Sequence, residues 1–281
     1  MEWPFIKMQG CGNDYIYFDC LERAFPSPEK YAAVLSDRHF GVGGDGIVLI
    51  QPSGRADAFM RMFNADGREG RMCGNAIRCV AKYLYDNNIA RKTEMAVETL
   101  SGVKTLYLTI GEDGAVSSVR VDMGRAKLAP DRVPVNLPGK MIVNETVRVG
   151  NSDYKITCAS MGNAHAVVFT ENVAGLDLRA IGPLFEKHEL FPEGVNTEFI
   201  RVIDRQTLEM RVWERGSGET LACGTGACAS AVAAILNGYC RAGEDIQVNL
   251  PGGQLVIRVT EDTIYMTGGC ERVFSGVIRL V

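Results

Sequence analysis

Two stretches of this chain repeat one order of hydrophobic and polar positions. In the first, Phe59, Arg61 and Phe63 alternate with Met60 and Met62, a period of two that predicts a strand. A Gly-rich turn follows, and then Ile77, Val80, Ala81 and Leu84 recur at helical spacing. Cys73 stands at the junction, where the first N–H groups of a helix have no partner within it. Such a position favours an anion and is expected to lower a thiol's pKa from about 8.5. The second stretch runs from Trp213 through Glu219 and Cys223-Gly224 into another apolar helix. Phe63 and Trp213, Glu69 and Glu219, Cys73 and Cys223, and Gly74 and Gly224 are all 150 positions apart, as are Gly12-Asn13 and Gly162-Asn163. The chain therefore reads as two copies of one unit, each placing a cysteine at a helix N-terminus.

The remaining elements follow from local signals. Strands are expected at 3–7 and 15–19 around the Gly10–Asn13 turn, and a Ser27-capped helix from Pro28 to about His39. The glycine run 41–46 precedes a strand (47–50) instead of opening a helix, and no Gly-Lys-Ser/Thr follows, which argues against a nucleotide loop. Short strands are expected at 94–100, 103–110 and 115–122, then a Pro-containing crossover over 124–140. The second copy supplies strands near 146–149, 153–158 and 165–170, a helix near 176–188, strands near 197–203 and 207–214, and four closing strands. Leu221 to Cys240 carries no charge, and the helix after Cys223 is apolar on every face. Its apolar part, 227–236, is too short for the roughly 20 residues of a membrane span. A helix apolar all round must be surrounded, and the short strands are the candidates. The expected fold is α/β (α+β), two pseudo-symmetric domains, each a curled mixed/antiparallel sheet around a central helix. Their expected limits are 1–120 plus 268–281, and 121–267.

Composition narrows the class. A 46% apolar and 23% charged chain of 281 residues has ordinary globular proportions, and the net charge of −4 is spread along it. That gives no support to a nucleic-acid partner or an anionic membrane surface. Nine cysteines without framework spacing fit free thiols in a reducing cytoplasm, and the N-terminus lacks the pattern of a signal peptide. No metal-ligand cluster or pyridoxal lysine motif is apparent, so no cofactor and no metal is the economical reading. Cys79 and Cys228, inside the two helices, read as core.

The segments Gly-Cys-Gly-Asn-Asp-Tyr (10–15), Phe-Asn-Ala-Asp-Gly (63–67), Met-Cys-Gly-Asn (72–75), Gly-Asn-Ala-His (162–165), Gly-Val-Asn (194–196), Trp-Glu-Arg-Gly (213–216) and Ala-Cys-Gly-Thr-Gly (222–226) resemble those of the diaminopimelate epimerase family. The resemblance implies two α/β domains with the active site in the cleft between them. It implies a cofactor-independent epimerase interconverting LL- and meso-diaminopimelate in lysine and peptidoglycan precursor synthesis, and a homodimer. Cys73 and Cys223 would be acid and base on opposite faces of the α-carbon, exchanging roles with direction. The N–H groups of Gly74, Asn75, Gly224 and Thr225 would hold the α-carboxylate.

By the same resemblance His165 and Glu214, each a structural or solvated residue when read alone, would orient the substrate amine and help set thiol protonation. Asn13, Asn64, Asn163, Asn196 and Arg215 would bind the two amino-acid ends, amides because they both donate and accept, Arg because it grips carboxylate bidentately. Many family members carry Gln where this chain has Gly46. A proline or 4-hydroxyproline racemase is the nearest rival, against which stands Asn75 where that pattern has His. A histidine racemase on this scaffold is harder to exclude. A non-catalytic amino-acid-binding protein would need neither thiol.

Overall fold

A computed structural model describes residues 2–280. Contacts divide the chain into two compact units, Met1–Asp122 with Thr267–Val281, and Met123–Met266. Among the described residues there are four α-helices: α1 (Pro28–Ser36), α2 (Gly74–Asp86), α3 (Leu178–Glu186) and α4 (Gly224–Leu236).

In the first unit, Glu2–Gly10 lies antiparallel between Asn13–Asp19 and Glu271–Arg279. Asn13–Asp19 pairs in parallel with Gly46–Gln51, which is antiparallel to Ala58–Asn64. The sheet continues through Glu94–Thr99, Gly102–Ile110 and Val116–Gly124. Successive side chains of a strand face opposite ways, and Asn13–Asp19 is buried on both. Ile16 and Phe18 join Trp3, Phe25, Leu35, Ile47 and Leu49 in a core that includes α1 residues. Tyr17 points the other way, its hydroxyl 3.4 Å from the Ala76 carbonyl of α2.

The second unit repeats this pairing with the same offset. Tyr15 opposes Gly46 as His165 opposes Asn196, both in parallel register. Ile47 opposes Phe63 as Thr197 opposes Trp213, and Phe63 opposes Glu69 as Trp213 opposes Glu219. The hairpin before each cysteine carries the same ion pair, Arg61–Glu69 at 2.6 Å and Arg211–Glu219 at 2.8 Å. Helix α4 buries every residue from Gly226 to Ala234 and packs against strands of its own unit, among them Ser152–Ser160, Asn196–Asp204 and Gly253–Val259. Helix α2 is more polar, and its Lys82 pairs with Asp86 at 2.8 Å. Each unit thus places a sheet about a central helix.

The first helix departs from expectation at both ends. Ser27 has φ 41 and makes no side-chain cap, and α1 stops at Ser36 instead of near His39. The Asp37 carboxylate accepts the N–H groups of His39 and Phe40 at 2.7 and 2.8 Å. Val42 and Gly43 both donate to Leu35 O, so the chain folds back instead of continuing. The other helices and the four closing strands lie where their patterns place them.

Helix α3 is seated on the strand that leads to Cys223. The Trp213 indole donates to Glu186 Oε2 at 2.7 Å, and a Cβ built on Gly182 would lie 2.2 Å from Trp213 Cδ2. Gly182→Ala is therefore expected to displace the indole and cost about 1–3 kcal/mol, measured by urea unfolding. Unchanged stability would show that α3 does not fix Trp213.

Candidate active site

The two cysteines occupy matching places. Cys73, at φ −133 and ψ 121, is the N-cap of α2, and its sulfur accepts the Ala76 N–H at 3.4 Å. Cys223, at φ −123 and ψ 108, is the N-cap of α4 and accepts the Gly226 N–H at 3.4 Å. The N–H groups of Gly74 and Asn75, and of Gly224 and Thr225, come before the first intrahelical bond and have no partner inside the helix. Each start is therefore a thiol beside two outward backbone donors in the positive field of a helix.

Around Cys73, Gly10 pairs with Asn13, leaving Cys11 and Gly12 as the whole turn, at φ 56 and φ 78. Positive φ at both central residues is what the tightest hairpin turn of this hand requires. The turn brings Asn13 to the thiol, which donates to Asn13 Oδ1 at 3.3 Å. Asn13 Nδ2 in turn donates to Asp45 Oδ2 at 2.6 Å. Arg38 binds Asp14 at 2.7 Å and Asp45 at 3.1 Å, and the buried Lys7 pairs with Asp14 at 2.5 Å. Burial opposes ionisation of Asp14, but Arg38 and Lys7 outweigh it and hold its pKa below the usual carboxylate value. The glycine run 41–46 therefore serves to carry Asp45 to this network.

Asn64 is exposed at the end of its strand. The Asn75 side chain turns inward, accepting from the fully buried Arg78 at 3.0 Å. Gly46 has no room for a side chain, since a Cβ there would lie 2.1 Å from Phe63 O.

Around Cys223, Asn163 Nδ2 donates to Thr225 Oγ1 at 3.3 Å, and that hydroxyl lies 3.5 Å from Cys223 Sγ. Asn163 Oδ1 faces His165 Nε2 at 3.0 Å, and His165 Nδ1 faces Glu198 Oε1 at 2.7 Å. His165 and Glu198 are both 0% exposed. Both His165 ring nitrogens are therefore engaged inside the protein. The Asn196 amide is engaged likewise: it donates to Ala164 O at 3.2 Å and accepts the Arg215 N–H at 2.8 Å. Arg215 itself is exposed just past the strand end, its guanidinium 2.5 Å from Glu193 O. Glu214 is partly buried and accepts the Thr220 hydroxyl at 2.5 Å.

Thiol acidity also differs from the simple helix-terminus expectation. Burial pushes the Cys223 thiol well up, and the Glu214 and Glu198 carboxylates push the same way. The Thr225 and Gly226 donors pull it down without prevailing, so two carboxylates and a dry site outweigh the helix field. Burial likewise raises the Glu214 pKa, against hydrogen bonds from Thr220 and Cys223. Among the described residues no cluster of three or more His, Cys, Asp or Glu is placed to hold a metal, and no helix is long and apolar enough to cross a membrane.

Sequence reasoning missed Glu198 and Asp45. Glu198 is the only charge in the run 195–200, in a strand whose first five residues are all buried. A charged residue in such a run is the signal that could have found it.

The sequence profile of the family described as diaminopimelate epimerase matches residues 5–129 and 157–273. The chain belongs to that family. Curated relatives named diaminopimelate epimerase include one from Acetivibrio thermocellus, 52% identical over 278 residues covering 98% of each chain. Another, from Desulfovibrio desulfuricans, is 53% identical over 280 residues, covering 97% of this chain and 96% of its own. Among solved structures, a probable proline racemase from Agrobacterium radiobacter K84 has a TM-score of 0.71 at 16% identity, covering 99% of this chain and 93% of that one. A phenazine biosynthesis protein of the PhzF family from Bacillus anthracis gives 0.69 at 15%, with both chains fully covered. At such identities these structures speak for the shared two-domain, pseudo-symmetric fold alone.

The Glu214 carboxylate opposes ionisation of Cys223, so Glu214→Gln is expected to shift Cys223 alkylation by iodoacetamide to lower pH. Peptide mass spectrometry across a pH series reads this at Cys223 separately from Cys73. A profile unmoved, or moved to higher pH, would contradict the assigned electrostatics.

Proposed function

We propose that this chain interconverts LL- and meso-diaminopimelate by a two-base reaction between Cys73 and Cys223, with no cofactor, in lysine and peptidoglycan precursor synthesis. The observation that carries the reading is the matched pair of N-capping thiols, each beside two outward helix N–H groups. Epimerisation needs a weakly acidic α-proton removed from one face and a proton returned to the other. One thiolate removes it and the other thiol supplies the replacement, with roles exchanged in reverse. The raised pKa of Cys223 makes it the resting acid. Backbone donors of Gly74, Asn75, Gly224 and Thr225 take the α-carboxylate, where they counter the charge that develops as the proton leaves.

Glu214 faces the Cys223 thiol and is the group proposed to meet the substrate amine, with His165 acting behind Asn163. Asn13, Asn64, Asn163 and Arg215 are the proposed contacts to the two amino-acid ends, and Asn196 serves by fixing the Arg215 backbone. The relatives' printed name supports a substrate with two such ends.

Cys73→Ser and Cys223→Ser are each expected to abolish epimerisation, because a hydroxyl is far too weak an acid for either role. The assay follows α-proton exchange from deuterated water on diaminopimelate and on a panel of shorter amino acids. Near wild-type turnover by either variant, or preference for proline or histidine, would sink the reading.

Arg215→Met removes one charged partner, worth roughly 1.5–3 kcal/mol, so kcat/KM for diaminopimelate should fall at least about tenfold. Slow exchange on a shorter amino acid should survive. Unchanged kinetics would remove Arg215 from the distal site.

A cytoplasmic homodimer completes the proposal. No disulfide joins any of the nine cysteines, as a reducing compartment favours. The strand Glu271–Arg279 exposes Val273, Phe274 and Val277 at 56%, 46% and 64%, an apolar row suited to a second copy. Sedimentation equilibrium should return twice the chain mass, and Phe274→Glu should return the single-chain mass. A wild-type monomer would contradict it.

A further inference from the structure

Helix α3 is tied at both ends to the strand Thr207–Glu214, on which it packs. Near its start the Arg211 guanidinium donates to the carbonyls of Val173 and Leu176, each at 2.9 Å. At its end stands Glu186, the last residue of the helix. Its Oε2 accepts the Trp213 indole N–H at 2.7 Å, and its Oε1 accepts the Gly216 N–H at 2.9 Å. An indole nitrogen and a backbone amide only donate, so each bond has one sense. A carboxylate there meets the negative end of the helix dipole, and no basic residue in the last turn offsets it. The two donors beyond the helix are what makes an acid favourable at this place.

These donors flank Glu214 and Arg215. Glu214 has its own partner in the Thr220 hydroxyl. Arg215 is exposed and is held through what surrounds it. Its N–H donates to Asn196 Oδ1 at 2.8 Å, and its guanidinium donates to Glu193 O at 2.5 Å. Its stem crosses Gly194, where a Cβ would lie 2.9 Å from Arg215 Cδ and 3.2 Å from Glu186 O. Glu186 fixes the peptide that follows the arginine, so the end of α3 sets the direction in which this long side chain leaves the backbone.

The duplication shows that the frame does not require this carboxylate. The offset of 150 lays α3 (178–186) on α1 (28–36) residue for residue. Ser36 stands at the position of Glu186, its Oγ buried and without a hydrogen-bond partner among the described residues. Phe63, whose ring has no N–H, stands at that of Trp213, and Ala65 and Asp66 stand at those of Arg215 and Gly216. The first unit packs α1 on its strands without any such clasp. Carboxylate, indole donor and arginine are therefore present together in one unit and absent together from the other.

We propose that Glu186 is a positioning residue that sets substrate choice, holding the turn from Trp213 to Gly216 so that Arg215 is presented to the second carboxylate of a dicarboxylic amino acid. This rests on the epimerase reading above and on the role given there to Arg215; the two hydrogen bonds do not.

The test joins spectroscopy to kinetics in the full chain. The indole N–H proton signal of Trp213 is assigned against that of Trp3 by its loss in Trp213→Phe. Glu186→Ser, which installs the side chain that the first unit carries at this position, should move the signal upfield. In the same variant kcat/KM for diaminopimelate should fall at least about tenfold, mostly through KM, since a misdirected Arg215 forfeits a charged hydrogen bond. Slow α-proton exchange on a shorter amino acid with one carboxylate should stay within about twofold of the wild type. Added to Arg215→Met, the change should cost nothing further. Glu186→Gln keeps the reach but offers one acceptor oxygen to two donors. It should fall between the Ser variant and the wild type, and it carries the test if the Ser variant does not fold.

An equal loss on both substrates, or a loss that adds to that of Arg215→Met, overturns the proposal, because Glu186 would then act through packing alone. An indole signal unmoved by Glu186→Ser overturns it as well. If Arg215→Met loses diaminopimelate and neither Glu186 variant does, the proposal fails and the role of Arg215 stands. If the wild type epimerises nothing, the epimerase reading fails and the substrate role of Glu186 falls with it, while the indole signal still reports the bond.

Discussion

The hydrogen bond from an N3 backbone amide to a cysteine sulfur, made once by Ala76 and once by Gly226, is the constraint around which both units are arranged. A thiol caps a helix less strongly than a hydroxyl or carboxylate, so its placement depends on what surrounds it. Each cysteine follows a hairpin whose strands are tied by an Arg–Glu pair at the same register. The chain can enter its helix at only one angle from such a hairpin. Two N–H groups are left facing outward, next to a sulfur that cannot rotate away without losing its own partner. Surface ion pairs contribute little stability singly; here their use is to fix direction.

The duplication leaves the frame alike and the chemistry around it different. Near Cys73 the neighbours are Asn13 and the Asp45–Arg38–Asp14–Lys7 network, part of it solvated. Near Cys223 they are a dry imidazole–carboxyl pair and a second, partly buried carboxylate. A two-base reaction run in both directions does not require its two groups to be alike at rest. The two thiols are unequal before any substrate arrives, Cys223 being buried and Cys73 only partly so.

Most of the fold was legible because its signals were strong and repeated. The alternation at 59–63, the apolar face of α2 and the offset of 150 each fixed an element by more than one residue. The end of α1 was not legible, because an aspartate that draws two backbone amides onto itself looks, in sequence, like another helix residue. For the site, the cysteines could be read from position alone, since a helix start is visible in sequence. The hydrogen-bond partners of His165 and Asn196 could not, because burial and the direction of an amide are tertiary facts. Glu198 was overlooked because a lone acid in a strand ordinarily faces water. Its neighbours Val195, Thr197 and Phe199 are all 0% exposed, and that reverses the ordinary assumption.

Helix α4 has a consequence for the order in which the protein can be made. It offers no polar face, and one of the strands that cover it, Gly253–Val259, lies downstream of it in the chain. A nascent chain leaving the ribosome therefore displays a wholly apolar helix before part of its cover has been synthesised. The final fifteen or so residues of that unit act as a closing wall, and translation that pauses before them leaves an apolar helix open to other chains.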